Sequence, residues 1–305
     1  MMRISTVPAP AYFGVSAIFH YLGPAFAVLL FAHIDVLGVA WLRIASAALV
    51  FALWRRPWRL ITRLEPEQRR LLLALGVVLA AMNAVFYLAI ARLPLSTVGA
   101  IEFLGVIVLA AVGVRTRRNA FALVLAVGGV VALTDVRIVG EPLGIALAFA
   151  NCGLFMLYVV LGHRIANTGP GTTWRGIDQL GAAMLIAAVV ALPFGIGDAA
   201  VAFDHPTWLL AGIGVGICSS VIPYVTDQLA MARLRRSTFA LMMSILPAVA
   251  TVIGMLVLAQ LPTGQDLAGV ALVIAGVAIH QQEENSWSKP GWVRRVSRSR
   301  PSVSA

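Results

Sequence analysis

Three polar side chains stand inside strongly apolar stretches of this chain, at similar distances from one end of those stretches. Arg43, Asn83 and Glu102 each lie about seven or eight residues from the same expected surface, or roughly 10–12 Å at 1.5 Å per residue. A buried guanidinium and a buried carboxylate at one depth can pair, which lessens the desolvation cost of both. Glu102 could also bind and release a proton. The three residues predict a substrate and proton site, with a static ion pair as the alternative.

Further polar residues lie within other apolar stretches. His20 suits a proton relay or a hydrogen-bonded packing position, and Asp227 suits a second carboxylate on the same path or a partner for nearby arginines. Asn151 and Tyr87 could orient a ligand or pack between helices. Together with the first three residues they complete the candidate binding set.

Two prolines stand inside apolar stretches or at their edges. Pro223 and Pro247 each remove a backbone donor and permit a kink. They are candidate hinges for a conformational change, with static kinks as the alternative.

The elements that carry these residues are predicted to be membrane-spanning helices. The chain has 305 residues, of which 60% are hydrophobic and 12% charged, and lipid must cover that much apolar surface. Dividing it at its polar gaps predicts an all-α membrane protein with ten transmembrane helices. The predicted spans are roughly 10–32, 36–54, 71–91, 95–114, 120–137, 143–162, 177–197, 207–231, 238–258 and 265–281.

Positive charge is strongly biased to one side of these spans. With the N-terminus inside, 20 of the 23 Lys and Arg residues fall on the cytoplasmic side. The bias predicts a multi-pass protein of a bacterial plasma (inner) membrane with both termini cytoplasmic. Because topology accounts for the net charge of +10, nucleic acid is not expected as a partner.

The chain also resembles itself. Residues 91–113 align without gaps with residues 232–254, although the first loop is predicted outside and the second inside. The two halves are therefore predicted to be inverted five-helix repeats, the usual architecture of secondary transporters. The expected units are 1–142, 143–285 and a basic cytoplasmic tail, 286–305. The shared residues are Ala91/Ala232, Arg92/Arg233, Leu93/Leu234, Ser96/Ser237, Thr97/Thr238, Val108/Val249 and Gly113/Gly254.

Several short motifs resemble one known family. They are Gly38-Val-Ala-Trp-Leu-Arg43, Met82-Asn83, Phe86-Tyr87-Leu88, Ala100-Ile-Glu102-Phe103, Tyr158, Gly162-His-Arg164, Ile222-Pro223-Tyr224, Asp227, Ser237-Thr-Phe239 and Pro247-Ala248. With them the chain resembles the EamA-type transporters of the drug/metabolite transporter superfamily, and among these the threonine/homoserine exporter-like group. The resemblance implies ten helices in two inverted repeats and secondary efflux of small metabolites.

The chain departs from the family pattern at a few positions. Val28 replaces the Lys of some members, Gly105-Val106 a frequent Gly-Pro, Leu246-Pro247-Ala248 a frequent Glu-Pro-Ala, and Ala259-Gln260 a frequent Gly-Glu. The second half thus lacks two carboxylates that the family often has. Proton coupling is therefore expected to depend on Glu102 and Asp227.

The expected function is alternating-access export of small metabolites, above all amino acids such as threonine or homoserine, with proton antiport. Efflux of cationic or lipophilic drugs is the alternative, and an intramembrane enzyme or non-transporting subunit is a remote one. The sequence has no phosphate-binding loop, zinc-binding helix or serine-nucleophile motif, so no enzyme, metal site or cofactor is expected. The expected partners are the substrate, protons and the lipid bilayer, for a monomer or homodimer.

Overall fold

The computed structural model describes residues 8–61, 64–113, 116–134, 141–167, 173–231 and 245–279. Within these residues all regular structure is helical and no strand occurs. Apolar segments without access to water must satisfy their backbone groups internally, and a helix does so within one segment. The helices are α1 (Ala9–Leu30), α2 (Val36–Arg55), α3 (Trp58–Ile61), α4 (Pro66–Ile90), α5 (Leu95–Gly113), α6 (Arg117–Thr134), α7 (Pro142–Asn167), α8 (Thr173–Asp204), α9 (Pro206–Gly216), α10 (Ile222–Met231), α11 (Leu246–Leu258) and α12 (Gly264–Ile279).

Many of these helices are long and apolar enough to cross a bilayer. Six candidate spans occur in the described residues: Ala11–Leu30, Val36–Arg55, Pro66–Ile90, Pro142–Gly162, Gly176–Asp204 and Pro206–Asp227. Leu95–Gly105, Leu246–Leu258 and Gly264–Ile279 are shorter apolar helices. The prediction of an all-α, multi-pass membrane protein is confirmed.

Two boundaries differ from the sequence prediction. The short helix α3 lies in the segment expected to be a loop after the second span. Helix α8 runs on to Asp204, so the expected loop that begins at Asp198 is helical and His205 alone separates α8 from α9. Pro206 explains the break, because proline suits the first turn of a helix but cannot continue a preceding one.

A five-residue π-helical turn, Ile217–Val221, joins α9 to α10 and is called the π-turn below. Two glycines allow it to lie close to its neighbours. A Cβ atom at Gly23 of α1 would lie 2.7 Å from the backbone nitrogen of Ser219, and one at Gly216 would lie 2.6 Å from the carbonyl oxygen of Arg43. The π-turn is thus packed between α1 and α2 at backbone distance.

Helices α2 and α8 pack together in antiparallel orientation. Near the end of α2, Arg55 Nε lies 2.6 Å from Asp178 Oδ1, which belongs to the start of α8. Near the start of α2, a Cβ atom at Gly38 would touch Asp198 and Ala199 of the last turns of α8. Asp178 at the start of α8 therefore forms an ion pair with a neighbouring helix.

Helices α6 and α12 are also antiparallel. Arg118 at the start of α6 donates to the Ile279 carbonyl at the end of α12 (2.6 Å), and Gln265 donates from the start of α12 to Ala132 near the end of α6 (2.7 Å). Helix α5 begins where α11 ends, because the Leu95 amide donates to the side chain of Gln260 (3.2 Å).

The apolar interior falls into two clusters that meet at the polar residues. On α2, Leu42 belongs to one cluster and Ile44 to the other, with Arg43 between them. On α4, Met82 and Phe86 are divided in the same way. The candidate site residues of these helices therefore lie at the border of two apolar cores.

Candidate functional site

Arg43 is buried among uncharged groups. Only 6% of it is exposed, and its guanidinium donates from Nε to the Ser220 hydroxyl (3.0 Å) and from Nη2 to the Ser219 carbonyl (3.2 Å). Its Cζ also lies 5.3 Å from the centre of the Tyr87 ring. The guanidinium of Arg43 on α2 thus contacts both the π-turn and α4.

Glu102 makes its hydrogen bond to α7 instead. Asn151 Nδ2 donates to Glu102 Oε2 at 3.0 Å, and both residues are buried. The direct pair with Arg43 that their common depth suggested is therefore not formed, since the π-turn supplies the guanidinium with closer acceptors. The Arg43 charge nevertheless acts on Glu102 through the low-dielectric interior.

Asn83 and Tyr87 stand one turn apart on α4, so their side chains share a face. Asn83 Nδ2 donates to the Leu79 carbonyl of its own helix at 2.7 Å. Tyr87 presents its ring to Arg43 from the same face. Both residues are almost fully buried.

Four buried polar atoms have no hydrogen-bond partner within the described part of the chain. They are Tyr87 Oη, Thr97 Oγ1, Asn151 Oδ1 and Ser219 Oγ. An unpaired buried polar group costs about 1–3 kcal/mol, so such groups are normally paired. Three of the four atoms belong to residues that contact Arg43 or Glu102, namely Tyr87, Ser219 and Asn151, and a polar ligand site offers such unpaired groups.

His20 and Asp227 lie at the edge of this arrangement. The His20 ring contacts the neighbouring Tyr21 edge-on, with centres 5.2 Å apart, and lies within electrostatic range of Arg43. Asp227 is half-buried on α10, where the Ser16 hydroxyl of α1 faces it. Tyr224 connects the two regions, because the charges of Arg43, Glu102 and Asp227 all act on it.

The two prolines occupy different settings. Pro223 stands in the first turn of α10, directly after the π-turn, and its carbonyl accepts a 3.3 Å hydrogen bond from Ser16. Pro247 lies in the first turn of α11 and does not interrupt a described helix. The preceding residues of the predicted ninth span, 238–244, lie outside the described residues.

A cavity of about 370 Å³ opens away from the cluster. It lies between the turn that joins α1 to α2 and the last part of α8. Its lining residues are Phe31, Ala32, His33, Ile34, Asp35, Gly197, Asp198 and Val201. This cavity could not be predicted from the sequence, because it is formed by the part of α8 that continues beyond the predicted end of that helix.

The groups that hold Arg43, Ser219 and Ser220 of the π-turn, are not among the site residues predicted from the sequence. A pair of serines just before Pro223 in an apolar span was the available signal, since hydroxyl groups near a proline can satisfy freed backbone groups. Cys152 and Cys218 are free thiols.

Comparison with known proteins places this geometry in a family. The EamA-like transporter family matches residues 142–280. "Threonine/homoserine exporter RhtA" of Escherichia coli strain K12 is 35% identical over 258 residues, covering 83% of this chain and 84% of the relative. The protein of the same name from Salmonella typhimurium strain LT2 is 34% identical over 260 residues, with the same coverage.

The fold also has a counterpart among solved structures. One crystal structure matches with a TM-score of 0.56 at 19% sequence identity, covering 88% of this chain and 97% of the other. That likeness concerns the fold alone. The relatives, in contrast, match most of the chain at over 30% identity, so the protein belongs to the EamA-type transporters of the drug/metabolite transporter superfamily and is a transporter rather than an enzyme.

Proposed function

We propose that the protein exports threonine, homoserine or closely related small amino acids by alternating access, in exchange for protons. The observation that carries the proposal is the buried cluster at Arg43 and Glu102, with its unpartnered polar atoms, in a chain of apolar helices. Ionisable groups at membrane depth are costly and generally mark a substrate or ion path. The names of the two relatives supply the substrate class.

The cluster suits a zwitterion. Arg43 would bind the substrate carboxylate, and Glu102 would bind its ammonium group or carry the exchanged proton. Asn83, Tyr87 and Asn151 would orient the substrate through hydrogen bonds. An amino acid brings one charge of each sign, so it can neutralise both buried charges at once.

The present partners of Arg43 favour such an exchange. The Ser219 carbonyl and the Ser220 hydroxyl are both uncharged acceptors. A carboxylate forms a stronger, charge-assisted and bidentate pair with a guanidinium. An incoming substrate carboxylate would therefore displace the π-turn from Arg43 at a net gain.

The remaining predicted residues are assigned to proton movement and conformational change. His20, within electrostatic range of Arg43, and Asp227, on the far side of Tyr224, would extend the proton path. Pro223 would act as a hinge next to the π-turn, and Pro247 as a hinge at the start of α11.

We further propose ten spans in two inverted five-helix repeats, 1–142 and 143–285, followed by the basic tail 286–305. The orientation of helix pairs supports this arrangement. Counting α3 as part of a loop and α9–α10 as one span, the pairs α2–α8, α5–α11 and α6–α12 each join a helix to its counterpart five spans later. The pairs α2–α8 and α6–α12 are antiparallel, and α5 begins where α11 ends, as inversion requires.

The packing of the other helices supports the same arrangement. Helix α4 packs on α7 and α8, while its counterpart, α9–α10, packs on α1 and α2. Likewise α5 packs on α7, and its counterpart α11 packs on α1. The contacts of each helix in one half thus correspond to the contacts of its counterpart in the other half.

The positive-charge bias supports a location in the inner membrane of a bacterium, with both termini in the cytoplasm. The contacts of α2 with α8 at Arg55 and of α12 with α6 at Arg118 would then lie at the cytoplasmic ends of those helices. The chain would function as a monomer or homodimer.

Uptake into inverted membrane vesicles tests the proposal. Vesicles that contain the protein are given labelled threonine or homoserine and a proton gradient in which the vesicle lumen is the acidic side. We expect gradient-dependent accumulation that is lost in Glu102→Gln and retained in Glu141→Gln, a carboxylate-to-amide change at an exposed position before α7. Normal accumulation by Glu102→Gln would refute the coupling role of Glu102.

The same vesicles test the alternative of drug efflux. Accumulation of cationic dyes but of neither amino acid, unaffected by Arg43→Ala, would contradict amino-acid export and favour drug efflux. A zwitterionic substrate requires a cation for its carboxylate, whereas a cationic drug does not.

A further inference from the structure

Asn151 makes one hydrogen bond and lacks another. Its Nδ2 donates to Glu102 Oε2 at 3.0 Å, while its Oδ1 is buried without a hydrogen-bond partner in the described part of the chain. The residue itself is 1% exposed. Its amide therefore has an acceptor available next to a carboxylate, in a place where water is scarce.

The orientation of that amide depends on the charge of Glu102. An ionised carboxylate only accepts hydrogen bonds, so it must face the NH₂ group of Asn151. A protonated carboxyl carries an O–H donor, and its best partner is the amide oxygen. Protonation of Glu102 would therefore rotate the Asn151 amide by half a turn, after which Oδ1 accepts from the carboxyl and Nδ2 occupies the former place of Oδ1.

We infer that Asn151 is a positioning residue which reverses the hydrogen-bonding polarity of the substrate site when Glu102 takes up a proton. With Glu102 ionised, the carboxylate and the free amide oxygen together offer acceptors to the substrate ammonium. With Glu102 protonated, the carboxylate charge is gone and the amide presents a donor, which repels the N–H groups of an ammonium. One proton from the external solution thus removes two attractive contacts, and the ammonium leaves with its own protons.

This inference rests on the proposed function, since it assigns the ammonium of an amino acid to Glu102. Other ionisable groups also face Glu102 from the helices around it: Tyr21 on α1, Arg43 on α2, Cys152 on α7 and Tyr224 on α10. Among the helices that pack on α5, α11 has no ionisable residue. Helices α4, α6 and α12 carry ionisable residues near their ends, and α4 also carries Tyr87. The residues near the ends are Glu67, Arg69, Arg70, Arg117, Arg118 and Asp266. Asn151 is the group that donates a hydrogen bond to the carboxylate.

Substrate binding at two pH values tests the inference. Purified protein in detergent is titrated with labelled threonine at pH 6 and pH 8, and the ratio of the two Kd values is compared between variants. The change Asn151→Leu keeps the shape of the side chain but removes both polar atoms. We expect it to weaken binding at pH 8 about fivefold and to reduce the pH 6 to pH 8 ratio by a similar factor, since one hydrogen bond is lost from the ionised arrangement alone.

A matched control is Thr251→Val on α11, where the hydroxyl bonds to the Pro247 carbonyl of its own helix (2.9 Å). It should leave the Kd ratio unchanged. If Asn151→Leu lowers affinity equally at both pH values, Asn151 has only a structural role and the inference is overturned.

An infrared measurement provides a second readout that needs no substrate. The acid-minus-alkaline difference spectrum of the native protein should contain a protonated carboxyl band that Glu102→Gln abolishes. In Asn151→Leu this band should move to higher frequency, because the carboxyl loses the acceptor of its O–H group. An unshifted band would refute the rotation, even if the protein bound neither threonine nor homoserine and the proposed function failed.

Discussion

The side chain of Arg43 carries a permanent charge into a membrane-embedded helix, where a hydroxyl and a carbonyl hold it. Its planar guanidinium makes both contacts at once while stacking near the Tyr87 ring. Lysine has the same charge but a single ammonium group on a flexible stem. Charge alone therefore does not explain the choice of arginine at this position.

The substitution Arg43→Lys should accordingly damage export although it conserves charge. Loss of the forked hydrogen bonds to the substrate carboxylate should raise KM by about tenfold or more, as measured by threonine uptake into inverted vesicles. Arg92→Lys is the control, because Arg92 is exposed in the turn after α4 and its side chain donates to the Leu88 carbonyl of that helix (3.0 Å). Equal KM values for native protein and Arg43→Lys would contradict the carboxylate-binding role.

Asn83 gives a milder expectation at the same scale. Its amide nitrogen is already bonded to Leu79, so its contribution to substrate binding would come through its carbonyl oxygen. We expect Asn83→Ala to raise KM severalfold while the thermal unfolding midpoint changes little, because the hydrogen bond that is lost lies within one helix. A large drop in the midpoint with an unchanged KM would assign Asn83 to packing alone.

The positions of the site residues along the helices could be predicted from sequence, but their partners could not. Depth in an apolar span is a one-dimensional property, and counting residues placed Arg43, Asn83 and Glu102 in one layer. Whether Arg43 meets Glu102 or the π-turn depends on helix rotation and on the local insertion in α9–α10. An unbroken α-helical period would have rotated Ser219 and Ser220 differently, so no regular pattern could indicate them.

At the scale of the elements, Gly23 is where α1 packs directly against the backbone of the π-turn. A methyl group there would collide with the Ser219 backbone, which cannot move without disturbing the carbonyl that holds Arg43. Gly14 lies nine residues earlier on the same helix, and a Cβ atom added there would have no described atom within 4 Å. The two glycines are therefore chemically alike but differ in packing.

We expect Gly23→Ala to lower the free energy of unfolding by about 1–3 kcal/mol and to impair transport, since overpacking displaces the π-turn. Gly14→Ala should have no harmful effect and should be slightly stabilising, because alanine favours helix more than glycine does. Thermal unfolding in detergent measures both changes. Identical midpoints for the two variants would show that the π-turn yields easily.

The end of α11 offers the opposite case. Ala259 adopts a positive φ of 51°, a conformation that favours glycine, and glycine is what the family often has there. The Gln260 side chain beyond it receives the Leu95 amide of α5. Ala259→Gly should therefore raise the unfolding midpoint by a few degrees, corresponding to about 1 kcal/mol, and an unchanged or lower midpoint would argue against the strain.

At the scale of the whole molecule, the two inverted repeats that we propose would enter the membrane from opposite sides. The charges of the aligned loops agree with this proposal, because Pro94-Leu95 in the first loop aligns with Arg235-Arg236 in the second, which is predicted to be cytoplasmic. That the chain is helical and crosses a membrane several times could be predicted from its long apolar segments. The uneven lengths of the helices could not be predicted. Helix α8 has 32 residues, more than a bilayer requires, and its extra length depends on packing.

Labelling of single cysteines tests this topology. In a background with Cys152 and Cys218 replaced by alanine, Arg92→Cys should react with a membrane-impermeant maleimide in intact cells. Arg56→Cys, at the end of α2, should react only after the membrane is permeabilised. The reverse pattern would invert the proposed orientation, and labelling of both in intact cells would contradict it.

For the two repeats that we propose, the π-turn has a consequence for their history. A single-turn π-helix is what remains when a helix absorbs one inserted residue without unfolding. Helix α4 has 25 residues, and its counterpart between Pro206 and Met231, with segments of 11, 5 and 10 residues, has one more. Both begin with proline, and the repeat alignment joins Ala91 to Ala232 just beyond their ends. A one-residue insertion after duplication would account for this difference, and it would have turned Ser219 and Ser220 toward Arg43 in one half of the protein while the other half kept its regular helix.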